Sequence, residues 1–106
     1  MAALFLRRRT LLRRARRKRN NMYSLYVLKD ERQTRHYIGI TDDVDKRLRK
    51  HNTGGVKSTK PYKPWRIAYV EKFETKYEAR KREIFLKKTT KARKELFNKI
   101  DKGPIV

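Results

Sequence analysis

The sequence predicts a small α/β domain of the α+β kind, with elements in the order β-β-α-β-α-α. Three short runs rich in aromatic and β-branched residues indicate strands, and three stretches with apolar residues at helical spacing indicate helices. The 106 residues suffice for one such domain, and without Cys it folds without disulfides. We place the domain at residues 22–100, between a basic N-terminal segment at residues 1–21 and a C-terminal tail at residues 101–106.

Two strands joined by a polar turn are predicted at residues 23–28 and 36–40. Period-2 alternation places four apolar side chains on one face: Leu25, Val27, Ile38 and Ile40. If Tyr26 pairs with Tyr37, both tyrosines share the other face with Gly39. Because glycine has no side chain, we expect space there for a flat or anionic group.

The first helix is predicted to begin at residues 41–43, where Thr and Asp side chains favour an N-cap, and to end near Asn52. Arg47 and His51 are one helical turn apart, so their side chains share a face of this helix. A loop with two Gly, two Pro and three Lys follows at residues 53–64.

The second half of the domain begins with a strand predicted at residues 65–71, where alternation places Ile67 and Tyr69 on the same face. Thr75 and Glu78 form a capping box, which predicts the start of the second helix. The third helix is predicted from three apolar residues four positions apart: Ala92, Leu96 and Ile100.

The second helix carries an acidic residue on the stripe that faces the core. Glu83 lies on the same stripe as Ala79 and Leu86. A buried carboxylate is unfavourable unless it is paired or binds a cation. One interpretation is an ion pair with a neighbouring Arg or Lys, and the other is a metal ligand. Its position alone favours the ion pair.

The charge of the chain indicates a polyanionic partner. With 32 Lys and Arg against 11 acidic residues, the net charge is +21, and nucleic acid is the first partner to consider. The alternative is a basic protein with no specific ligand. No apolar run approaches the ~18–20 residues of a membrane span, so we expect no membrane partner. The lack of Cys fits a reducing compartment. The expected location is cytoplasmic, of the bacterial type, with an organelle as the alternative if residues 1–21 are a presequence.

Residues 1–21 hold nine basic residues and no acid, and three interpretations remain open. The segment could be a disordered arm that binds phosphates. It could be an Arg-rich presequence, which would place the protein in an organelle. It could also be a translated upstream stretch, with Met22 as the native start. In each case we expect it to lie outside the fold.

Several kinds of site are excluded. The absence of Cys and the presence of only two His exclude a zinc finger of the Cys/His kind. No Gly-x-x-x-x-Gly-Lys-Ser/Thr motif supports a P-loop. A Ser–His–Asp triad would need a nucleophile near His36 or His51, and no pattern indicates one.

The remaining candidates form a polar surface of Tyr26, Tyr37, Arg47 and His51, with Glu83 as a further member. These residue types suit phosphodiester hydrolysis. A carboxylate can hold a divalent cation, an Arg matches phosphate oxygens, and a Tyr near cations can act as a base. Taken singly, each Tyr is more often a half-buried strand residue, and Arg47 is more often a solvated helix residue.

Several motifs in order resemble the GIY-YIG nuclease family. They are Tyr26, Tyr37-Ile38-Gly39, Thr41, Arg47, His51-Asn52, and a later run from Pro64-Trp65 through Glu78-Ala79 to Arg82-Glu83. The resemblance covers roughly residues 22–90 and is to small single-domain members, which are similar to the nuclease domain of the excinuclease that acts in DNA repair. The first motif departs from the pattern, with Ser24-Leu25-Tyr26 in place of Gly-Ile-Tyr.

The resemblance implies a three-stranded antiparallel sheet flanked by helices, and one divalent cation, Mg²⁺ or Mn²⁺, held by Glu83. Tyr26 and Tyr37 would shape the site, and one of them, Tyr37 by preference, would act as general base or orient the water. Arg47 would bind the scissile phosphate. His51 would support a tyrosine or the phosphate by hydrogen bonding.

The implied activity is metal-dependent endonucleolytic cleavage of DNA, including structured or damaged DNA. The alternative is a binding module for DNA or RNA that cleaves poorly, as part of a ribonucleoprotein. Nucleic acid is expected to contact Gly39 and the three loop lysines, Lys57, Lys60 and Lys63. Family nucleases often carry a late Asn, for which Asn98 is the candidate. The oligomeric state stays open.

Deleting residues 1–21 should weaken nucleic-acid binding and flatten its salt dependence, because each lost phosphate contact lowers the salt slope by about 1. Binding of a labelled DNA duplex at several salt concentrations, by the full chain and by a chain that starts at Met22, measures both effects. Identical affinity and slope would favour the presequence or the upstream stretch.

Overall fold

The computed structural model describes residues 22–32 and 34–102, and its elements confirm the predicted order. They are β1 (Tyr23–Asp30), β2 (His36–Thr41), α1 (Val44–Asn52), a 3₁₀ helix (Lys60–Tyr62), β3 (Trp65–Phe73), α2 (Lys76–Lys88) and α3 (Thr90–Asp101). The N-terminal segment and residues 103–106 of the tail lie outside the described residues. Within the described part of the chain, no helix has the length and apolar character needed to cross a bilayer.

The three strands form one antiparallel sheet in the order β2-β1-β3, as the resemblance implied. Strand β1 is central, and its residues from Ser24 to Asp30 are all buried. Helices α2 and α3 pack against one face of the sheet, and α1 packs against the other. Because both faces of β1 are covered, successive positions of this strand require buried side chains. This requirement explains the continuous apolar run in the sequence.

The pairing of β1 with β2 differs from the prediction by two residues. Tyr26 lies opposite Gly39, and Leu28 lies opposite Tyr37. A Cβ atom at Gly39 would lie 2.5 Å from the Tyr26 hydroxyl oxygen, so the ring of Tyr26 fills the space over the glycine. The expected space for a flat or anionic group is therefore absent, and that prediction is wrong. Both tyrosines and Gly39 still share a face, because a shift of two residues preserves alternation.

A bulge in β3 separates two residues that were expected on one face. Val27 pairs with Tyr69, but the next residue, Leu28, pairs with Ile67. One extra residue of β3, Ala68, therefore lies between the two pairs. Tyr69 packs on the face covered by α2 and α3, whereas Ile67 packs on the face covered by α1. The prediction of a shared face is wrong because alternation does not continue through a bulge.

The larger core lies between the sheet and helices α2 and α3. Its buried members are Leu25, Val27, Ile38, Leu86 and Leu96. Thr75 is the N-cap of α2, and its hydroxyl accepts the backbone N–H of Glu78 at 3.2 Å. Ala79 and Leu86 are fully buried, so the predicted start of α2 and its core-facing stripe are both confirmed.

A buried lysine fixes the C-terminal end of α3 against the sheet. Lys29 Nζ donates to Asp101 Oδ1 at 2.6 Å, and the same oxygen lies 3.1 Å from His36 Nε2. The His36 ring stacks on Phe97 with ring centroids 4.0 Å apart. The hydrogen bond from Lys29 is the main cause that lowers the pKa of Asp101. The end of α3 is therefore held by charge as well as by apolar packing.

Replacing Asp101 with Asn should lower the free energy of unfolding by about 1–2 kcal/mol, because Lys29 would keep a buried charge without its counter-ion. The pKa of Asp101 is lowered from the ordinary 3.8, so its stabilising effect is present above that pH and is lost as the pH falls through the folded-state pKa. The difference between variant and wild type should therefore shrink in strong acid.

Urea unfolding at several pH values measures this difference. The exposed Asp42 offers a matched control, since Asp42→Asn removes the same charge away from Lys29. Equal destabilisation by both substitutions would contradict a specific role of Asp101.

Candidate active site

Four of the five side chains predicted to act together lie close to one another on the α1 side of the sheet. The Tyr26 hydroxyl oxygen, on β1, lies 3.1 Å from His51 Nε2 and accepts a hydrogen bond from Arg47 Nε at 3.3 Å. The ring centroid of Tyr37, on β2, lies 4.8 Å from that of His51 and 6.2 Å from that of Tyr26. The predicted helical pair of Arg47 and His51 therefore meets the two tyrosines.

Helix α1 is positioned by its N-cap and by its apolar face. Asp43 Oδ1 accepts a backbone N–H of the first turn at 3.0 Å, so the helix begins where predicted. Val44 and Leu48 pack against the smaller core, formed by Tyr26, Leu28 and Trp65. This contact turns the adjacent face of α1, which carries Arg47 and His51, toward the tyrosines.

Burial largely sets the charges of these groups. Tyr26 is 1% exposed, and this burial is the main cause that raises its pKa, with an opposing effect of the hydrogen bond from Arg47. Burial, reinforced by the charge of Arg47, lowers the pKa of His51 to about 4. The hydrogen bond to Tyr26 is the main cause that raises the pKa of Arg47. At neutral pH, Tyr26 and His51 are therefore neutral and Arg47 is a cation.

Three residues to which the sequence assigned no role hold His51 in place. His51 Nδ1 lies 2.8 Å from Thr59 Oγ1, and Trp65 Nε1 donates to the carbonyl oxygen of Thr59 at 2.9 Å. The Asn52 side chain bonds both the backbone N–H and the carbonyl of Trp65, at 2.6 and 2.9 Å. Loop contacts of this kind follow no periodicity. The indication of these contacts in the sequence is that Asn52 directly follows His51.

Glu83 lies on α2, which packs against the face of the sheet opposite to α1. Its side chain is 12% exposed, accepts a hydrogen bond from Lys87 Nζ at 3.2 Å, and lies 3.9 Å from Arg80 Nη1. Burial is the main cause of the raised pKa of Tyr26, but the charge of Glu83 adds to it, so the two groups interact. The predicted ion pairing is present. Its partners are 54% and 62% exposed, so both can leave the carboxylate at little cost.

The chemistry around Glu83 fits a hard divalent cation bound through few protein ligands. Carboxylate oxygen is a preferred ligand of Mg²⁺, which commonly keeps several waters and takes further oxygens from a phosphate. Within residues 22–32 and 34–102, no cluster of three or more His, Cys, Asp or Glu side chains could hold a metal alone. A cation at Glu83 would therefore depend on water and substrate oxygens to complete its coordination.

The other predicted site residues lie in different settings. Three exposed lysines lie on the same loop as Thr59: Lys57, Lys60 and Lys63. Gly39 is buried beneath the Tyr26 ring. Asn98 is exposed on α3, and in the described part of the chain no side-chain hydrogen bond joins it to Tyr26 or its partners. The structure thus places the three lysines on the loop whose Thr59 contacts His51, and it does not connect Asn98 to the tyrosine group.

Known proteins share this domain. The family described as the GIY-YIG catalytic domain matches residues 22–98. UPF0213 protein YazA of Bacillus subtilis is 40% identical over 78 residues, which cover 73% of this chain and 78% of the relative. A UPF0213 protein of Halobacterium salinarum is 37% identical over 75 residues, 70% of this chain and 96% of the relative. The solution NMR structure of a UPF0213 protein from Bacillus halodurans has 32% identity and a TM-score of 0.47, over 78% of this chain and 88% of that one.

Replacing Gly39 with Ala should destabilise the fold by about 1–3 kcal/mol, because the added methyl group overlaps the Tyr26 ring. Urea unfolding measures the change. In a Tyr26→Leu background the ring atoms that the methyl group meets are gone, so the same substitution should cost less. An equal cost in both backgrounds would contradict the direct overlap.

Proposed function

The chain belongs to the GIY-YIG catalytic-domain family, and on that premise we propose that it is a divalent-metal-dependent endonuclease that hydrolyses phosphodiester bonds in DNA. The observation that carries the proposal is the contact of Tyr26 with both Arg47 and His51, next to the ring of Tyr37. The charge of Glu83 also adds to the raised pKa of Tyr26, whose main cause is burial. A purely structural network has no need of a permanent cation next to a buried phenol. The net charge of +21 supports a polyanionic substrate.

Arg47 would bind the scissile phosphate. Its Nε donates to Tyr26, which restrains the guanidinium group and leaves the two terminal nitrogens to meet phosphate oxygens. A guanidinium keeps its charge throughout the physiological pH range, and its planar fork matches two oxygens of a phosphate. Tyr26 would therefore serve to hold Arg47 rather than to contact the substrate, because Tyr26 itself is 1% exposed.

Tyr37 would orient the attacking water or accept its proton. It is more exposed than Tyr26, and its ring lies against His51 in an edge-on arrangement. A phenol is a weak base at neutral pH, but a neighbouring cation stabilises the phenolate form. Arg47, which interacts with both tyrosines, supplies such a charge.

Glu83 would hold the divalent cation, Mg²⁺ or Mn²⁺. When bound, such a cation neutralises the charge that develops on the leaving oxygen of the phosphodiester. Glu83 would exchange its ion pairs with Lys87 and Arg80 for this cation, and the released lysine and arginine would remain near the nucleic acid. The three loop lysines (Lys57, Lys60 and Lys63) would contact backbone phosphates without reading sequence, which suits structured or damaged DNA as well as plain duplexes.

A second candidate function is a nucleic-acid-binding module, for DNA or RNA, that cleaves poorly and works within a ribonucleoprotein. The ion pairs of Glu83 with Lys87 and Arg80 favour it, because they satisfy the carboxylate without a metal. The same basic surface would serve both functions. Cleavage therefore decides between them, whereas binding does not.

Labelled duplex, forked and junction DNAs and an RNA, incubated with Mg²⁺, with Mn²⁺ or with EDTA, test the proposal. We expect metal-dependent nicking of DNA that EDTA stops. Arg47→Ala should lower the cleavage rate by about 10²–10³-fold, as expected for the loss of a group that stabilises transition-state charge. Glu83→Gln should abolish cleavage, and both variants should still bind DNA.

Matched controls come from the same helix and from α3. Arg49→Ala and Glu95→Gln change the same charges at exposed positions, and both should leave the cleavage rate within about twofold of wild type. Tight binding without cleavage of any substrate, at any metal concentration, would favour the binding module.

A further inference from the structure

A continuous chain of hydrogen bonds runs from α1 through β1 into the loop before β3. Arg47 Nε lies 3.3 Å from the Tyr26 hydroxyl oxygen, which lies 3.1 Å from His51 Nε2. On the other side of the ring, His51 Nδ1 lies 2.8 Å from Thr59 Oγ1, which lies 3.2 Å from the carbonyl oxygen of Val56. Five residues from three parts of the chain are therefore linked through one imidazole.

The Val56 end of this chain favours one direction for its bonds, although the Val56 carbonyl also accepts the backbone N–H groups of Thr59 and Lys60, at 3.2 and 3.0 Å. The guanidinium of Arg47 can only donate, and the carbonyl of Val56 can only accept. The Tyr26 oxygen therefore accepts a hydrogen bond from Arg47, and the Tyr26 hydroxyl donates one to His51 Nε2. The imidazole carries its proton on Nδ1 and donates it to Thr59, whose hydroxyl proton goes to Val56.

The opposite tautomer leaves two contacts without a proton in the right place. With the proton on His51 Nε2, the Tyr26 oxygen would face two N–H donors, and its own proton would have no partner in the chain. Thr59 would have to donate to Nδ1, so its oxygen would face the Val56 carbonyl oxygen at 3.2 Å with no proton between them. The first defect leaves a buried hydroxyl proton without a partner, which is costly. The second brings two oxygens together, while the Val56 carbonyl keeps its two backbone donors.

Water cannot relieve these defects. His51 is 0% exposed, Tyr26 1% and Thr59 2%. Thr59 is itself held by the indole of Trp65, which donates to its carbonyl at 2.9 Å. The burial that lowers the pKa of His51 also keeps the ring neutral, so only one of its two nitrogens carries a proton.

We propose that Thr59 is a positioning residue that fixes the Nδ1–H tautomer of His51. This tautomer presents an unprotonated Nε2 to Tyr26, so the Tyr26 hydroxyl donates to Nε2 and its oxygen accepts from Arg47 alone. The consequence for catalysis rests on the proposed function: Thr59 sets the orientation of the phosphate-binding guanidinium without touching the substrate.

Nitrogen NMR of the imidazole rings tests the tautomer without any need for activity. Protonated and unprotonated ring nitrogens differ widely in ¹⁵N chemical shift, and the sequence holds only one other His, at position 36. At neutral pH we expect a protonated Nδ1 and a bare Nε2 for His51 in wild type and in Thr59→Ser. Thr59→Val, or Thr59→Ala if the valine variant does not fold, should move the proton at least partly to Nε2.

A protonated Nε2 in the wild type would overturn the proposal, as would unchanged His51 shifts in a folded variant that lacks the hydroxyl. DNA cleavage then tests the catalytic consequence. We expect Thr59→Val or Thr59→Ala to lower kcat about tenfold or more with KM within about twofold, and Thr59→Ser to restore it. An unchanged kcat in a variant with the altered tautomer would refute the positioning role. Absence of cleavage by the wild type would overturn the proposed function, whereas the NMR result judges the tautomer separately.

Discussion

The hydroxyl group of Tyr26 is the constraint on which the rest of the structure depends. It lies in the central strand and is almost completely buried, so it needs hydrogen-bond partners from the protein. A buried hydroxyl left without partners costs about 1–3 kcal/mol. Arg47 and His51 provide these partners only when α1 packs closely against the sheet. Satisfying one core hydroxyl thus assembles the candidate active site, and Gly39 allows it by leaving room for the ring.

The bulge in β3 extends this arrangement to the loop. Without it, Ile67 and Tyr69 would lie on one face, and the start of β3 would turn away from α1. With it, Tyr69 packs in the larger core while Trp65 and Ile67 pack beside Tyr26. The indole of Trp65 then reaches the carbonyl of Thr59. A local irregularity of one strand therefore places the loop against the histidine.

Periodic patterns in the sequence were enough to predict the element order, the start and end of α1, and the faces of β1 and β2. The two-residue shift between Tyr26 and Tyr37 could not be predicted, because alternation is identical in both registers and only the fit of a ring over Gly39 decides. The role of Thr59 could not be predicted either. Its contact with His51 depends on the path of a loop, for which no repeat in the sequence provides a signal.

Ion pairing and metal binding compete for the carboxylate of Glu83, and this competition bears on the proposed chemistry. Lys87 and Arg80 stabilise its charge, so a divalent cation has to compete with them and with the positive field of the whole chain. A bound phosphodiester changes this balance. It adds negative charge and oxygen ligands, and it attracts exposed lysine and arginine side chains toward itself. If the proposed function holds, substrate and cation therefore strengthen each other's binding. Cleavage can then depend on the metal even though Glu83 alone binds it weakly.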